Sequence, residues 1–355
     1  MKKIALLLTL VVCLSLCPVF PTLAEEPALE CEGFCYRLLE DGTAEILKYV
    51  GKELQLVLPA ALDGHPVSAI GEEAFYNFRY SMEDLHIPAS VTHIGSNAFS
   101  MTDLEEIEIP AGVVSMGENP FGYCESLKTI TVAEGSPMFY AENGVLFCRE
   151  DHSLVCFPNL MADPEEGEYE TYTVPAGTEI IRGDAFGGVE GLSGIILPDS
   201  LRVIGSQAFG FCWALDSLTI PDSVTEIGSS AFDFCSSLEQ SRIPDGVTVI
   251  ETAVFEGCSS LTSIEIPDSV IEIGAFAFSG CFALTDIRIP ATVTKIGEYA
   301  FANCSFLKEL VISDSVQFIS EQAFASCPDD LIIICGEDSC AKTYCEQNGI
   351  AFRVE

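Results

Sequence analysis

Apolar residues return at a fixed interval of 23 residues through the second half of the chain. Between Leu192 and Cys327 the pattern L-x-x-I-x-I-P-x-x-V-x-x-I-G-x-x-A-F-x-x-C occurs six times, with a few substitutions. A phenylalanine and a cysteine mark each copy: Phe209, Phe232, Phe255, Phe278, Phe301 and Phe324, and Cys212, Cys235, Cys258, Cys281, Cys304 and Cys327. A period in the twenties with regularly placed aliphatic residues is typical of a solenoid, in which each coil buries its apolar side chains against the next.

Each copy predicts two short extended segments separated by turns. In one copy, Ile264 and Ile266 alternate with the polar Ser263 and Glu265, which is the period of a strand with one buried face. Pro267 follows and is expected to end the strand, because proline cannot donate to a β-ladder. The second apolar run, V-x-x-I-G, ends at a glycine suited to a bend. We expect A-F-x-x-C to fill the far corner of the coil as a helical turn.

The pattern divides the rest of the chain into segments around the regular array. They are a signal peptide at 1–24, an N-terminal β cap at 25–66, a first, less regular array of repeats at 67–132, a β-hairpin insertion with an acidic loop at 133–173, the regular array at 174–330 and a C-terminal cap at 331–355. This division gives about ten coils. Two ends of a solenoid need such caps, because an open coil exposes both its core and a strand edge.

The first 24 residues have the composition of a secretory leader. Lys2 and Lys3 precede an apolar run, and small residues follow near the end of the segment. A lipoprotein site at Cys17 is disfavoured, because Leu16 is too large for the position before the modified cysteine. The segment therefore predicts export, with the product released or weakly held at the cell surface.

Two apolar runs in the insertion predict a projecting β-hairpin. They lie at 144–148 and 154–158, on either side of a turn that contains His152. A turn centred on His152 would place Cys148 opposite Cys156, which makes these two the best candidates for a disulfide. The acidic loop at 163–170 then leads back into the array.

The repeat resembles that of the BspA-like leucine-rich repeat proteins of bacteria and some protists. The resemblance is carried by the six copies of I-P-x-x-V-x-x-I-G-x-x-A-F-x-x-C and by a tail that fits G-x-x-x-S-x-A-x-x-Y-x-x-x-x-G-I-x-F at Gly336, Ser339, Ala341, Tyr344, Gly349, Ile350 and Phe352. It implies an α/β leucine-rich-repeat solenoid, a right-handed superhelix of short parallel strands that is mostly β, with an N-terminal β cap and a short C-terminal helix. It also implies a role in bacterial adhesion, host-matrix binding or coaggregation.

The net charge of the chain excludes some classes of binding partner. Asp and Glu number 54 against 16 Lys and Arg, for a formal net charge of −38. Such a chain repels phosphate backbones and anionic lipid surfaces, so we expect neither nucleic-acid binding nor membrane insertion. The charge serves as a solvating coat, or it attracts a basic partner or calcium, although no loop has EF-hand ligand spacing.

Fourteen of the 16 cysteines lie after residue 24. We expect those of the repeat column to be free, buried thiols, because parallel Cβ directions in neighbouring coils disfavour a disulfide. One pair among Cys335, Cys340 and Cys345 is left open. Cysteines at C-x-x-C spacing are absent and histidines number four, so we predict no metal site and no cofactor.

No catalytic constellation is visible. The chain lacks H-E-x-x-H, G-x-S-x-G and a phosphate-binding glycine loop. The four histidines are His65, His86, His93 and His152, and none has an evident partner to orient it as a general base. The repeated carboxylates follow the turns and strands, and we expect none to depart from the pattern. The sequence predicts a protein that is not an enzyme.

The outward positions of the predicted strands form a row that we call the strand face. It comprises Ser217, Thr219, Gln240, Arg242, Ser263, Glu265, Asp286, Arg288, Glu309 and Val311. Solenoids bind partners on such extended surfaces, and arginine is enriched in interface hot spots. As an alternative, Arg242 and Arg288 both pair with Glu265 on the coil between them.

The sequence therefore predicts a secreted or surface-associated binding protein of the adhesion type. Its expected partner is an extracellular protein or a glycoconjugate of a host or neighbouring cell. The alternative is a structural component of the cell envelope that associates with itself through the hairpin at 144–158 or through an exposed end of the solenoid.

Overall fold

The chain folds into a parallel-strand β-solenoid of about 13 turns with a short C-terminal helix, which confirms the predicted fold class. The computed structural model describes residues 28–51, 56–79, 82, 85–162 and 171–355. The predicted signal peptide at 1–24 and the acidic loop at 163–170 lie outside the described residues. The number of turns exceeds the ten predicted, because strands of the N-terminal segment and of the insertion also occupy places in the stack.

Most coils contribute two strands, one to each of two walls. The first wall consists of Glu106–Ile109 and Thr129–Val132, then Thr171–Thr173, Gly194–Ile196, Ser217–Leu218, Gln240–Arg242, Ser263–Glu265 and Asp286–Ile287, and then Glu309–Val311 and Ile332–Cys335. The second wall includes His93–Ile94, Ser115–Met116, Ile180–Ile181, Val203–Ile204, Glu226–Ile227, Val249–Ile250, Glu272–Ile273, Lys295–Ile296 and Phe318–Ile319. Paired residues in the regular array are 23 positions apart, as in Ser263 with Asp286.

The N-terminal segment joins the solenoid through a change of strand direction. Its first three strands, Leu29–Cys31, Phe34–Leu38 and Ala44–Tyr49, form an antiparallel meander. The third strand alternates buried and half-buried residues and pairs in parallel with His65–Ile70, which in turn pairs antiparallel with Ala61–Leu62. The meander thus covers the apolar end of the stack, as a cap must.

The hairpin in the insertion does not project from the molecule, contrary to the sequence prediction. Its strands are Phe139–Glu142, Val145–Cys148 and Ser153–Cys156, and every residue of the last two is buried. Ser153–Cys156 pairs in parallel with Ile180–Ile181 and so takes the place of a coil in the second wall. An apolar hairpin is stable there because both of its faces are covered by neighbouring coils.

The predicted opposition of Cys148 and Cys156 is also wrong. The register pairs Cys148 with Ser153 and Cys156 with Leu146, with an irregularity between Leu146 and Phe147. Both thiols are free in the structure. The pairs Cys148–Ser153 and Phe147–Leu154 centre the turn between Glu150 and Asp151 and not on His152, which is why the two cysteines do not face each other.

Arg182, in the regular array, forms hydrogen bonds with both the hairpin and the first array at this junction. Its guanidinium contacts Asp151 Oδ2 at 2.7 Å and Ser153 Oγ at 2.8 Å in the hairpin, and the Met116 carbonyl of the first array at 3.5 Å. The side chain is largely buried, so these charge-assisted hydrogen bonds are screened less than those of a surface pair.

The interior of each coil is filled by a stack of phenylalanine rings. From Phe186 to Phe324, neighbouring rings lie 5.1–5.7 Å apart and within about 18° of parallel. Phe157 of the hairpin continues the stack toward the first array, with its ring 5.1 Å from that of Phe186. The hairpin therefore replaces a coil inside the core as well as in the wall.

The corner that carries each phenylalanine is a turn and not a helix. In one corner, the amides of Gln207, Phe209 and Phe211 all donate to carbonyls of the next coil, at 2.8–3.0 Å. Gln207 and Phe211 have positive φ (53° and 59°), a conformation that costs a non-glycine residue about 1–2 kcal/mol. It directs alternate amides toward the neighbouring coil, and the hydrogen bonds gained there offset the strain.

The cysteine column is buried, as predicted, and adds hydrogen bonds between coils. Each thiol donates to the carbonyl of the phenylalanine in the preceding coil, as from Cys258 to Phe232 at 3.1 Å and from Cys281 to Phe255 at 3.2 Å. Burial raises the pKa of these thiols well above its ordinary value. The column is therefore neutral and polar, and it is more than an apolar filler.

The C-terminal segment closes the stack with a βαβ unit. The helix Cys340–Asn348 begins at Ser339, whose hydroxyl accepts from the Lys342 amide, and it ends at Gly349 in the left-handed conformation. The strands on either side, Ile332–Cys335 and Ala351–Val354, pair in parallel. The short C-terminal helix that the resemblance implied is confirmed.

Candidate functional site

The predicted strand face presents outward-pointing side chains wherever the structure describes them; the side chain of Asp286 lies outside that description. Ser217, Thr219, Gln240, Arg242 and Glu265 are exposed, whereas the residues between them on each strand point into the core. Ile196 and Val311 add exposed apolar side chains at the two ends of this row. The alternation follows from the parallel register, which brings the same face of every coil to the same side.

The two arginines of the strand face differ in their partners. Arg242 contacts the carboxylates of Asp222, Asp245 and Glu265, the last at 3.7 Å. Arg288 is exposed and has no ion pair among the side chains that the structure describes. The alternative expectation of a shared pairing with Glu265 therefore holds for Arg242 and not for Arg288. The three acidic neighbours raise the pKa of Arg242, which keeps its charge fixed.

A shallow depression of about 560 Å³ lies between the two arginines. Ser263 and Glu265 form part of its floor, with Arg242 on one side and Arg288 on the other. It presents two guanidinium groups: that of Arg242, which already contacts three carboxylates, and that of Arg288, which has no ion pair among the described side chains. Such a surface suits an acidic or hydroxyl-rich group of a partner more than an apolar one.

The histidines do not form a catalytic arrangement in the described part of the chain. His152 Nδ1 lies 3.1 Å from Glu179 Oε1 at an exposed position, and His65 Nδ1 lies 2.8 Å from the Gly42 carbonyl. His93 contacts its neighbour Thr92. Among the described residues no group of three His, Cys, Asp or Glu side chains is arranged to hold a metal ion.

The sequence reading missed two buried carboxyl groups. Asp184 and Asp233 are each only 7% exposed, at corner positions where other repeats have Gln, Ser, Ala, Phe or Tyr in the first column and Gly, Glu, Ser or Ala in the second. The sequence analysis assigned the carboxylates to turns and strands and did not predict the burial of these two. Aligning the copies column by column shows the difference at Asp184, which corresponds to Gln207, whereas Asp233 corresponds to Gly210 in one neighbouring copy and to Glu256 in the other.

The two carboxyl groups are electrostatically unusual. Burial raises the pKa of Asp184 to about 7, and the nearby Asp233 and Glu118 carboxylates act in the same direction. Burial also raises the pKa of Asp233 to about 7, with a further contribution from Glu256. Each group is thus close to half protonated at neutral pH.

Comparison with known proteins assigns the family. A model described as BspA type leucine rich repeat region matches residues 64–148, 165–245 and 226–345, in 6 copies. The chain belongs to this family. Its members are repeat proteins of a non-catalytic type. The resemblance read from the repeat and the tail is thereby confirmed.

Solved structures of bacterial leucine-rich repeat proteins share the fold. A leucine-rich repeat protein from Eubacterium ventriosum aligns with a TM-score of 0.70 at 20% identity, over 83% of this chain and 93% of that one. A leucine rich cell surface protein from Faecalibacterium prausnitzii aligns with a TM-score of 0.52 at 28% identity, over 92% and 93%. A leucine-rich repeat protein from Bacteroides ovatus gives 0.51 at 22% identity, over 92% and 99%.

No curated protein matches this chain significantly. Within the described residues, none of the helices is long and apolar enough to cross a membrane.

Proposed function

We propose that this protein is a secreted or surface-associated binding module of the adhesion type, without catalytic activity. Its strand face contacts an extracellular protein or a glycoconjugate on a host or neighbouring cell. The depression between Arg242 and Arg288 forms the centre of the contact. The leader at 1–24 delivers the chain to the outside of the cell.

The observation that carries this proposal is the exposed row on the first wall. It follows one parallel sheet from Ser217–Leu218 to Asp286–Ile287 and continues on a second sheet that begins at Glu309–Val311, and the parallel ladders hold the backbone of each rigid. A rigid, repetitive surface orders few groups on binding and so loses little conformational entropy. The family assignment and the cell surface protein from Faecalibacterium prausnitzii support the extracellular location.

Reversing the charge of the face tests the proposal. We expect the variant Arg242→Glu with Arg288→Glu to lose a partner that residues 25–355 of the parent capture from mucosal and bacterial surface extracts. The change leaves two acidic groups where the depression had two donors, so an acidic or hydroxyl-rich group is repelled or unpaired. The measurement is a pull-down with identification of the captured species, followed by titration of the purified partner.

A matched control is Arg202→Glu, an exposed arginine on the second wall that contacts Glu179 at 4.0 Å. This control variant keeps the partner if the strand face is the contact. Capture by the parent and by both variants would move the contact away from the strand face. Capture by none of the three would remove the support for a binding module.

The alternative function, a self-associating part of the cell envelope, rests on the exposed strand of the C-terminal βαβ unit. The last strand, Ala351–Val354, is exposed at every residue and pairs with Ile332–Cys335 on one side. An exposed edge strand is a template for pairing with another chain. The hairpin does not support self-association, because its strands are buried.

Sedimentation over a wide dilution series separates the two functions. We expect a single monomeric species at all concentrations, because Arg353 at the open edge contacts Glu309 and Glu355, and charged side chains disfavour edge pairing. Reversible growth of the sedimentation coefficient with concentration would favour the envelope component.

A further inference from the structure

A cleft opens on the corner side of the solenoid where the hairpin interrupts the array. The coil of Phe157 fills the interior but lacks the G-x-x-A-F corner. On the outside, the corner of Phe121 therefore lies directly against that of Phe186: a Cβ atom placed on Gly187 would be 3.1 Å from Tyr123 Cζ, and one on Gly122 would be 3.4 Å from Asp184 Cβ. We call the resulting space the corner cleft; it has a volume of about 530 Å³, and Asn119, Tyr123, Asp184, Phe211 and Trp213 line it.

Oxygen atoms without a hydrogen-bond donor are concentrated at this cleft. Asn119 Oδ1, Tyr123 Oη and Asp184 Oδ1 are buried and make no hydrogen bond of ordinary geometry among the described residues, although the Tyr123 hydroxyl lies near enough to the Asp184 carboxyl to lower its pKa in part. Asp233 Oδ1 is in the same state behind Gly210, where a Cβ atom would lie 2.5 Å from it and 3.3 Å from Tyr123 Oη. A buried polar atom without a partner costs about 1–3 kcal/mol, and the amide oxygen and ionised carboxyl oxygens in this group can only accept, so the site lacks hydrogen-bond donors.

The other side chains that line the corner cleft indicate which kind of hydrogen-bond donor would bind there. Tyr76, Tyr123, Phe211 and Trp213 present aromatic rings, and Glu73 and Glu190 add carboxylates, whereas no lysine or arginine lines the cleft. Aromatic faces and carboxylates together bind cationic nitrogen groups. A neutral sugar would bring as many acceptors as donors, and among the described residues no three His, Cys, Asp or Glu side chains are placed to hold a metal ion.

We propose that the corner cleft binds an arginine or lysine side chain from a basic segment of a partner polypeptide. The nitrogen group donates to Asp184, Asn119 and Tyr123, and its alkyl chain lies between the rings of Phe211 and Trp213. This contact is separate from the strand face and does not depend on it. The net charge of −38 draws basic segments toward the molecule, and the cleft supplies the specific contact.

Affinity for the cation depends on pH, because the proton competes for the same carboxyl group. Asp184 is faced by Tyr123, Asp233 and Glu118, and its pKa is about 7. The ionised fraction of a group with that pKa rises about tenfold between pH 6 and pH 8, and the apparent affinity follows the competent fraction. A neutral ligand would show no such rise.

The test uses Trp213, the single tryptophan of the chain, as a fluorescent reporter. The probe is N-acetyl-arginine methylamide, which carries one charge and so limits non-specific attraction. We expect saturable quenching at pH 8, affinity about tenfold weaker at pH 6, and a loss of about tenfold or more in Asp184→Asn, since a charge-assisted hydrogen bond is removed.

The control variant is Asp268→Asn, which removes the same charge at an exposed turn and should leave the affinity unchanged. Removing a buried, unpartnered charge is not expected to unfold Asp184→Asn, and its circular dichroism spectrum checks this point. Absence of quenching by the arginine probe, or equal affinity in the parent and in Asp184→Asn, would overturn the proposal. So would saturable quenching by a neutral trisaccharide in place of the arginine probe, which would make the corner cleft a glycan site.

Discussion

Replacing Phe255 with alanine is expected to lower the free energy of unfolding by about 3–5 kcal/mol, the usual cost of truncating a large core side chain. The Phe255 ring is fully buried in the middle of the array. It stacks on Phe232 at 5.3 Å and on Phe278 at 5.7 Å, so its loss opens a cavity against two neighbouring coils. The measurement is chemical denaturation of the parent and the variant at pH 7.

An exposed phenylalanine of the same array gives the comparison. Phe282 is about half exposed, and Phe282→Ala is expected to change stability by less than about 0.5 kcal/mol. Similar small costs for both variants would contradict the register of the repeat, because Phe255 would then lie outside the core.

The second large effect is a steep loss of stability at alkaline pH, caused by the cysteine column. Thiols of the unfolded chain titrate near pH 9, whereas burial raises the pKa of Cys212 to about 12 and that of Cys235, Cys258 and Cys281 well above the ordinary value. A raised native pKa stabilises the fold fully below pH 9 and progressively less above it, because the unfolded state then releases protons that the native state retains.

The size of the effect grows with the number of buried thiols. Each loses about 1.4 kcal/mol per pH unit above the unfolded pKa. With Cys304, five fully buried thiols together lose roughly 7 kcal/mol by pH 10, which is comparable to the whole stability of many domains. Urea denaturation at pH 7.5, 9 and 10 under reducing conditions measures it.

The double variant Cys258→Ala with Cys281→Ala separates this effect from general alkaline unfolding. It is less stable at neutral pH, because two cavities and two hydrogen bonds are changed, but its stability should fall less steeply with pH, by about 2.8 kcal/mol per unit. Equal slopes for the parent and the variant would show that the buried thiols do not control the alkaline transition.

The repeat made most of the fold predictable from the sequence. Once the spacing of Phe232 and Phe255 is known, the same contacts recur in every copy, so one coil determines the others. The helix beginning at Ser339 was equally predictable, because its cap residue and its glycine stop are local signals. The repeat spacing and the local signals at the helix ends are both visible in the sequence, so no structure is needed to find them.

The insertion was predicted as a hairpin but placed wrongly. Its run Val145–Cys148 is apolar at four successive positions, a pattern typical of a strand that is covered on both faces. That signal was present and favours the buried position that the structure shows. The apolar runs do not fix the centre of the turn between them, which lies between Glu150 and Asp151, so the opposition of Cys148 and Cys156 could not be tested from spacing alone.

The corner cleft could not be predicted from the sequence, for a different reason. The departure of Asp184 from its column is visible when the repeats are aligned. Its burial, however, depends on the Phe157 coil having no corner, which brings Tyr123 against Gly187. Residues on either side of an insertion come into contact only if the insertion packs in a particular way. How it packs depends on the folded structure and cannot be read from the repeat pattern.

The constant register of the first wall has a consequence for how genes of this kind diverge. From Gly194 to Ile287, each strand pairs with the residues 23 positions later. Unequal crossing-over between two copies of the repeat therefore adds or deletes a complete coil and creates no new type of junction. Each such event lengthens or shortens the strand face by about 4.8 Å, while the corner cleft keeps its distance from the N-terminal cap. Recombination can thus change the length of the strand face while the corner cleft stays unchanged and is selected separately.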